Sequence, residues 1–204
     1  MSCEMFQIDY ENKKVYVLKE FIGTPEDKLN NTPALSRYIA KQLTTMGHYG
    51  GVVITGDPAG TARSTQTEDG VNNFTLVEKY LSTAVINPKI QLLSKQPAMV
   101  TRLEFVNQLL EGYDGWEILI ELTCRKLTMD LINQKKNEDG TKEKLKVQDP
   151  NGGKSERYGH CSDCFDYTLV KFLNEEYGKF QKKSSEPIIT TIDSDTVVYN
   201  EFDY

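Results

Sequence analysis

The feature that most constrains this chain is the stretch Gly50–Ser64, GGVVITGDPAGTARS. Val52, Val53 and Ile54 form a β-branched apolar run, too short for a helix and bounded by glycines, which predicts a buried central strand. The run stops at Gly56, Asp57 and Pro58. An acidic residue at the C-terminal end of such a strand is where open α/β sheets place ligand-handling groups. The same Asp-Pro-x-Gly spacing has a plainer use, in which Asp57 caps the turn that follows. A third reading makes GDPAGTARST an anion-binding turn, although it lacks the glycine spacing of a dinucleotide or Walker loop.

A second polar constellation lies about a hundred residues on, at Tyr158–Tyr167, YGHCSDCFDY. Ser162 is placed to cap a helix whose apolar positions Phe165, Leu169, Phe172 and Leu173 follow the 3.6-residue period, and that helix is expected to run to about Phe180. His160 precedes its start, Asp163 opens it, and Asp166 follows three residues later on the same face. Cys161 and Cys164 have C-x-x-C spacing. A zinc knuckle needs a second pair, and Cys3 and Cys124 stand alone, so two thiols packed beside a helix compete with a zinc site.

Along the chain, Met5–Ile8 and Val15–Phe21 predict an antiparallel hairpin about the turn 11–14. Thr32 and Pro33 signal a helix start, with Leu35, Ile39, Leu43 and Met46 as its apolar stripe and Gly47 as its end. The segment 61–73 is polar and is expected to be a surface loop. A short helix is predicted at Phe74–Leu81 and a strand at Ile86–Leu93. After Pro97, a helix with Met99, Leu103, Val106 and Leu110 on one side leaves Arg102, Glu104 and Asn107 off that stripe. Trp116–Leu122 predicts another strand and Cys124–Asn133 another helix. Glu121, at a strand end, is either a metal ligand or an ordinary surface acid. The segment 137–154 carries turn chemistry at both ends and predicts an exposed basic hairpin.

GDPAG at the end of a strand, RLEFVNQLL on a helix and GHxSDxxDY at the start of a late helix together resemble the nuclease domain of the large terminase subunit of tailed bacteriophages. The resemblance spans most of residues 5 to 175. It implies an α/β fold of RNase H-like type, a mixed sheet flanked by helices, and metal-dependent cutting of double-stranded DNA during genome packaging. Such nucleases gather carboxylates around two Mg²⁺ or Mn²⁺ ions, each stabilising one side of an in-line phosphoryl displacement. By resemblance, Asp57 and Asp163 are the catalytic carboxylates, and Asp166 and His160 join them as metal ligands. Members also have a first strand ending in an Asp-Phe-Asn type motif. This sequence opens at Met1-Ser2-Cys3-Glu4, so the first central strand and its Asp are expected to be missing. Glu4 is a candidate substitute, although its strand aligns better with the family's second. The resemblance therefore implies a nuclease domain over 1–182 that is weak or inactive as this fragment. Its partners would be the terminase ATPase portion and the portal in the cytoplasm of a bacterial host, and its uncovered strand edge invites self-association.

Charge sets a limit on the DNA reading. Lys and Arg number 24 against 30 Asp and Glu, a net charge of −6, where a DNA-binding chain usually carries a basic footprint. The acids gather in the tail 183–204, and the bases in a middle segment. Arg63, Lys142, Lys144, Lys146, Lys154 and Arg157 are therefore the expected phosphate contacts. No apolar run approaches a membrane span and the N-terminus lacks the pattern of a signal peptide. The competing functional class is a catalytically silent RNase H-like module that docks onto a partner, favoured by the missing first Asp.

Overall fold

The computed structural model describes residues 1–62, 71–148, 154–156 and 158–185. Arg63, Arg157, the second turn of the predicted basic hairpin and the acidic tail from residue 186 lie outside them. Strands β1 (Ser2–Asp9) and β2 (Lys14–Ile22) form the expected antiparallel hairpin. Strand β5 (Glu117–Ile120) joins the other edge of β2 in parallel, giving a mixed sheet of order β1-β2-β5. The remaining elements are α1 (Thr32–Thr45), β3 (Val53–Ile54), α2 (Asn73–Leu81), β4 (Lys89–Ile90), α3 (Met99–Leu110), α4 (Arg125–Asn133), β6 (Lys146–Gln148), β7 (Lys154–Glu156), α5 (His160–Phe172) and α6 (Asn174–Ser185).

An irregularity in β2 decides which side chains face which layer. Met5 pairs with Lys19 but Phe6 pairs with Val17, so Leu18 is an extra residue opposite one step of β1. Because side chains alternate along a strand, one inserted residue exchanges faces beyond it. Val15 and Val17 therefore point into one core with Phe105, Val106 and Leu109 of α3 and Phe165, Leu169 and Val170 of α5. Phe21 points into a second core with Leu35, Ile39 and Leu43 of α1, Ile54 of β3 and Phe74 and Leu81 of α2. Each of the large apolar side chains buried there contributes about 1.5–3 kcal/mol of transfer free energy.

Two expectations fail at strands. The predicted central strand at Val52–Ile54 is two residues long, pairs among the described residues with β4 alone and leaves Val53 exposed, so it is not the buried centre of the sheet. The strand at Ile86–Leu93 shrinks to Lys89–Ile90, with Ile86 exposed. Helix positions were clearer, but three details move. Asn31, not Thr32, caps α1 by accepting from the Ala34 N–H. The inner face of α3 is Arg102, Phe105, Val106 and Leu109, and Leu110 is exposed. The last helix is interrupted at Leu173 and continues as α6.

Carboxylates set the starts of the two helices over the sheet. Glu20 sits on the face that the bulge turns toward α4 and accepts from the Lys126 and Leu127 N–H groups. Asp130, near the end of α4 and fully buried, accepts at Oδ2 from the Gly159 and Cys161 N–H groups, both at 3.0 Å, and from Ser162 at 3.4 Å. The cap of α5 therefore comes from α4, and Ser162 instead donates to the Gly159 carbonyl. Removing a buried, multiply bonded carboxylate leaves orphaned donors. Asp130→Ala is expected to cost about 2–4 kcal/mol in urea unfolding, and Asp130→Asn less, since its amide oxygen still accepts. A change under 1 kcal/mol in the alanine variant would show that α5 does not depend on this cap.

Candidate functional site

The first turn of α5 follows Gly159, which adopts φ +113° and turns the chain into the helix. On that turn Ser162, Asp163 and Asp166 meet two cations from elsewhere. Arg102 arrives from the inner face of α3 and is 1% exposed. Its guanidinium stacks 4.2 Å from the centre of the Tyr167 ring, whose hydroxyl accepts from Gln96 Nε2 at 2.7 Å. Lys142 arrives from the strap joining α4 to β6. There the Asn137 N–H donates to the Thr141 carbonyl, Gly140 takes φ +82°, and the returning limb bridges Lys136 to Lys142.

Three oxygens surround the Lys142 ammonium. Ser162 Oγ lies at 2.8 Å, Asp163 Oδ1 at 2.8 Å and Asp166 Oδ2 at 2.7 Å from Nζ. Arg102 flanks the same pair, with Nη2 at 3.3 Å from Asp163 Oδ1 and Nε at 3.6 Å from Asp166 Oδ2. Asp166 and Lys142 are buried, while the Asp163 side chain is 43% exposed and opens the cluster to solvent. Burial pushes the Asp166 carboxyl up to about 6 against the pull of Lys142 and Arg102, so this group is ionised at neutral pH and takes up a proton in mild acid.

A deeper carboxyl lies behind this cluster on β1. Both Glu4 oxygens are buried without a well-formed hydrogen bond. Burial, together with the charges of Glu20, Asp130 and Asp166, holds this group well above the usual carboxylate range, although the Cys161 thiol opposes the shift. The cysteines are free. Burial raises the Cys161 and Cys164 thiols away from the thiolate form that a metal or a nucleophile requires.

The sequence-derived residues separate into three groups. Asp163 and Asp166 do converge, on the Lys142 ammonium. Asp57 accepts from the Ala59 N–H at 2.9 Å and caps the short 3₁₀ turn Pro58–Thr61. That turn lies on Phe74, where a Cβ at Gly60 would come within 2.8 Å of the ring, so the GDPAG glycines have a packing role. His160 is exposed at the first residue of α5. Among the described residues, no three of His, Cys, Asp and Glu gather closely enough to hold a metal ion.

The basic residues fare differently. Lys142, expected on an exposed DNA-binding arm, is buried in the ion cluster, because its ammonium answers two carboxylates that would otherwise face each other. Lys144 and Lys146 are exposed, and Lys154 begins β7. Arg102 was missed as a site residue because it stands off the more apolar of two helical stripes. The spacing Arg102, Phe105, Val106, Leu109 is equally regular, and that was the available signal.

The raised Asp166 carboxyl fixes a pH dependence. The folded protein keeps this proton to about pH 6, while the unfolded chain releases it near pH 4, so the group's stabilising contribution is fully present below pH 4 and is lost as pH rises through 6. Relative to Asp166→Asn, the unmodified protein is expected to lose up to about 3 kcal/mol of stability between pH 4 and pH 7, read from urea titrations at each pH. A constant difference across that range would mean that Asp166 titrates like a surface acid.

No protein-family model, curated protein or solved structure matches this chain.

Proposed function

We propose that this chain is an RNase H-like nuclease module of the kind found in phage terminase large subunits, acting on double-stranded DNA through divalent metal. The observation that carries this reading is the convergence of Ser162 Oγ, Asp163 Oδ1 and Asp166 Oδ2 on one cationic group at 2.7–2.8 Å, beside a solvent opening at Asp163. An all-oxygen donor set with two carboxylates suits Mg²⁺ or Mn²⁺. Asp163 and Asp166 would hold the metal, with Ser162 beside them, and Asp57 enters by the resemblance alone. A bound divalent ion supplies Lewis-acid stabilisation of a phosphoryl displacement and an activated water. Arg102 fixes the two carboxylates, and Tyr167 and Gln96 fix Arg102. The exposed Lys144 lies on the same strap and the exposed Lys146 opens β6, and together they give a phosphate-directed surface on an otherwise acidic chain.

One observation favours a second reading, a catalytically silent module of the same fold that docks onto a motor, portal or nucleic acid. Lys142 and Arg102 already balance both carboxylates, and no third metal-ligating residue joins them among the described residues. Supercoiled plasmid incubated with the chain and Mn²⁺ separates the two. The nuclease reading expects slow, Mn²⁺-dependent nicking that Asp163→Ala abolishes. Equal products from the parent and the variant would leave only the docking module.

A further inference from the structure

We propose that the outer edge of β5 is a docking site for an extended segment of a partner protein, a strand with basic residues on either side of an apolar one. None of the residues of the carboxylate cluster takes part, so plasmid nicking and peptide docking are tested independently.

Strand β5 lies at one side of the sheet β1-β2-β5, and among the described residues no strand pairs with its outer edge. The Glu117 N–H donates to the Lys13 carbonyl and the Glu121 N–H to the Val17 carbonyl, so the main-chain groups of these residues point at β2. Main-chain groups alternate in direction along a strand. Ile118 and Ile120 therefore turn their N–H and C=O groups outward, as a template for a further strand. Side chains alternate as well. Ile118 and Ile120 pack on the core shared with α3 and α5, while Glu117, Leu119 and Glu121 share the opposite face. On that face Leu119 lies beside Tyr16 in register and is 43% exposed, and Leu122, just past the strand, is 91% exposed. Together with Leu18 they line a groove of about 280 Å³ along the sheet. An added strand would pair the outward main-chain groups and cover the leucines in one step.

Charge selects the occupant. Residues 111–122 contain Glu111, Asp114, Glu117 and Glu121 and neither Lys nor Arg. Lys13 answers Asp114 at 3.0 Å and Lys14 answers Glu117 at 3.1 Å. The Glu117 side chain nevertheless stays 62% exposed, and Glu121 is exposed. Two acids thus flank Leu119 on the same face of the strand. A second copy of this chain fits the edge badly. Antiparallel pairing of two β5 edges about Leu119 sets each Glu117 directly opposite the other copy's Glu121, and like charges in cross-strand register repel. A strand with Lys or Arg at those two positions and an apolar residue between them meets both carboxylates and Leu119 with matched partners.

The test uses the full chain and a fluorescein-labelled peptide with the core Lys-Thr-Leu-Thr-Lys, read by fluorescence anisotropy at low salt. A second peptide has Glu in place of both Lys. Two more are N-methylated, one at both Thr and one at Leu and the second Lys, because antiparallel and parallel pairing use different peptide amides. The Lys peptide is expected to bind at least about tenfold more tightly than the Glu peptide, and one of the two methylated forms to lose at least about tenfold. Its affinity should fall as salt rises. Glu117→Lys combined with Glu121→Lys is expected to reverse the preference between the Lys and Glu peptides. Leu119→Lys, at an exposed position, is expected to weaken the Lys peptide and locates the contact if the double variant fails to fold. Equal affinity for the Lys and Glu peptides, no binding of either, full binding of both methylated forms, or a Leu119→Lys variant that binds like the parent overturns the proposal. A parent chain that sediments as a dimer, dispersed by Leu119→Lys, would assign the edge to a second copy and overturn it as well.

Discussion

The structure turns on where a buried guanidinium finds its anions. Arg102 projects from α3 into the layer beneath α5, where an unpaired charge would cost several kcal/mol. Asp163 and Asp166, three residues apart on one helical face, answer it, and the face of Tyr167 covers it. This fixes the rotation of α5 about its axis. With those carboxylates turned toward Arg102, Phe165 and Leu169 fall on the sheet beside Val15 and Val17, and Cys161 faces Glu4. The polar cluster and the apolar core are thus two consequences of a single helix orientation.

Acids elsewhere in the same layer are each disposed of differently. Glu20 is absorbed by the N–H groups that open α4, and Asp130 by those that open α5, with Lys126 at 3.3 Å from its second oxygen. The positive end of a helix favours both arrangements. Glu4 receives no such help, and burial drives it toward the neutral form. What remains is the Asp163–Asp166 pair, balanced by Arg102 and Lys142. Arg102 is held by burial and by stacking on Tyr167, and Lys142 by three oxygens at 2.7–2.8 Å.

Much of the architecture was legible. The hairpin, α1, α2 and α4 follow from alternation, apolar period and breaker residues, and the approach of Asp163 to Asp166 follows from helical spacing alone. Three features were hidden because they depend on residues far apart in sequence. The extra residue at Leu18 leaves no mark in the composition of β2, yet it sends Phe21 and Glu20 to opposite faces from those that simple alternation assigns. The α5 cap comes from Asp130, twenty-nine residues before Gly159, while Ser162 fits the local capping pattern and performs another task. Lys142 looks like one more member of a basic run, and only the Gly140 turn carries it back onto α5.

The GDPAG stretch shows why a motif at a strand end supports two accounts at once. Asp57 caps its own turn and Gly60 makes room for Phe74, so local folding alone explains the residue types. Capping orients the Asp57 carboxylate without consuming it, since one oxygen accepting one N–H leaves acceptor capacity unused. Any acceptor capacity that Asp57 offers a ligand therefore depends on a turn whose geometry is already fixed by packing on α2.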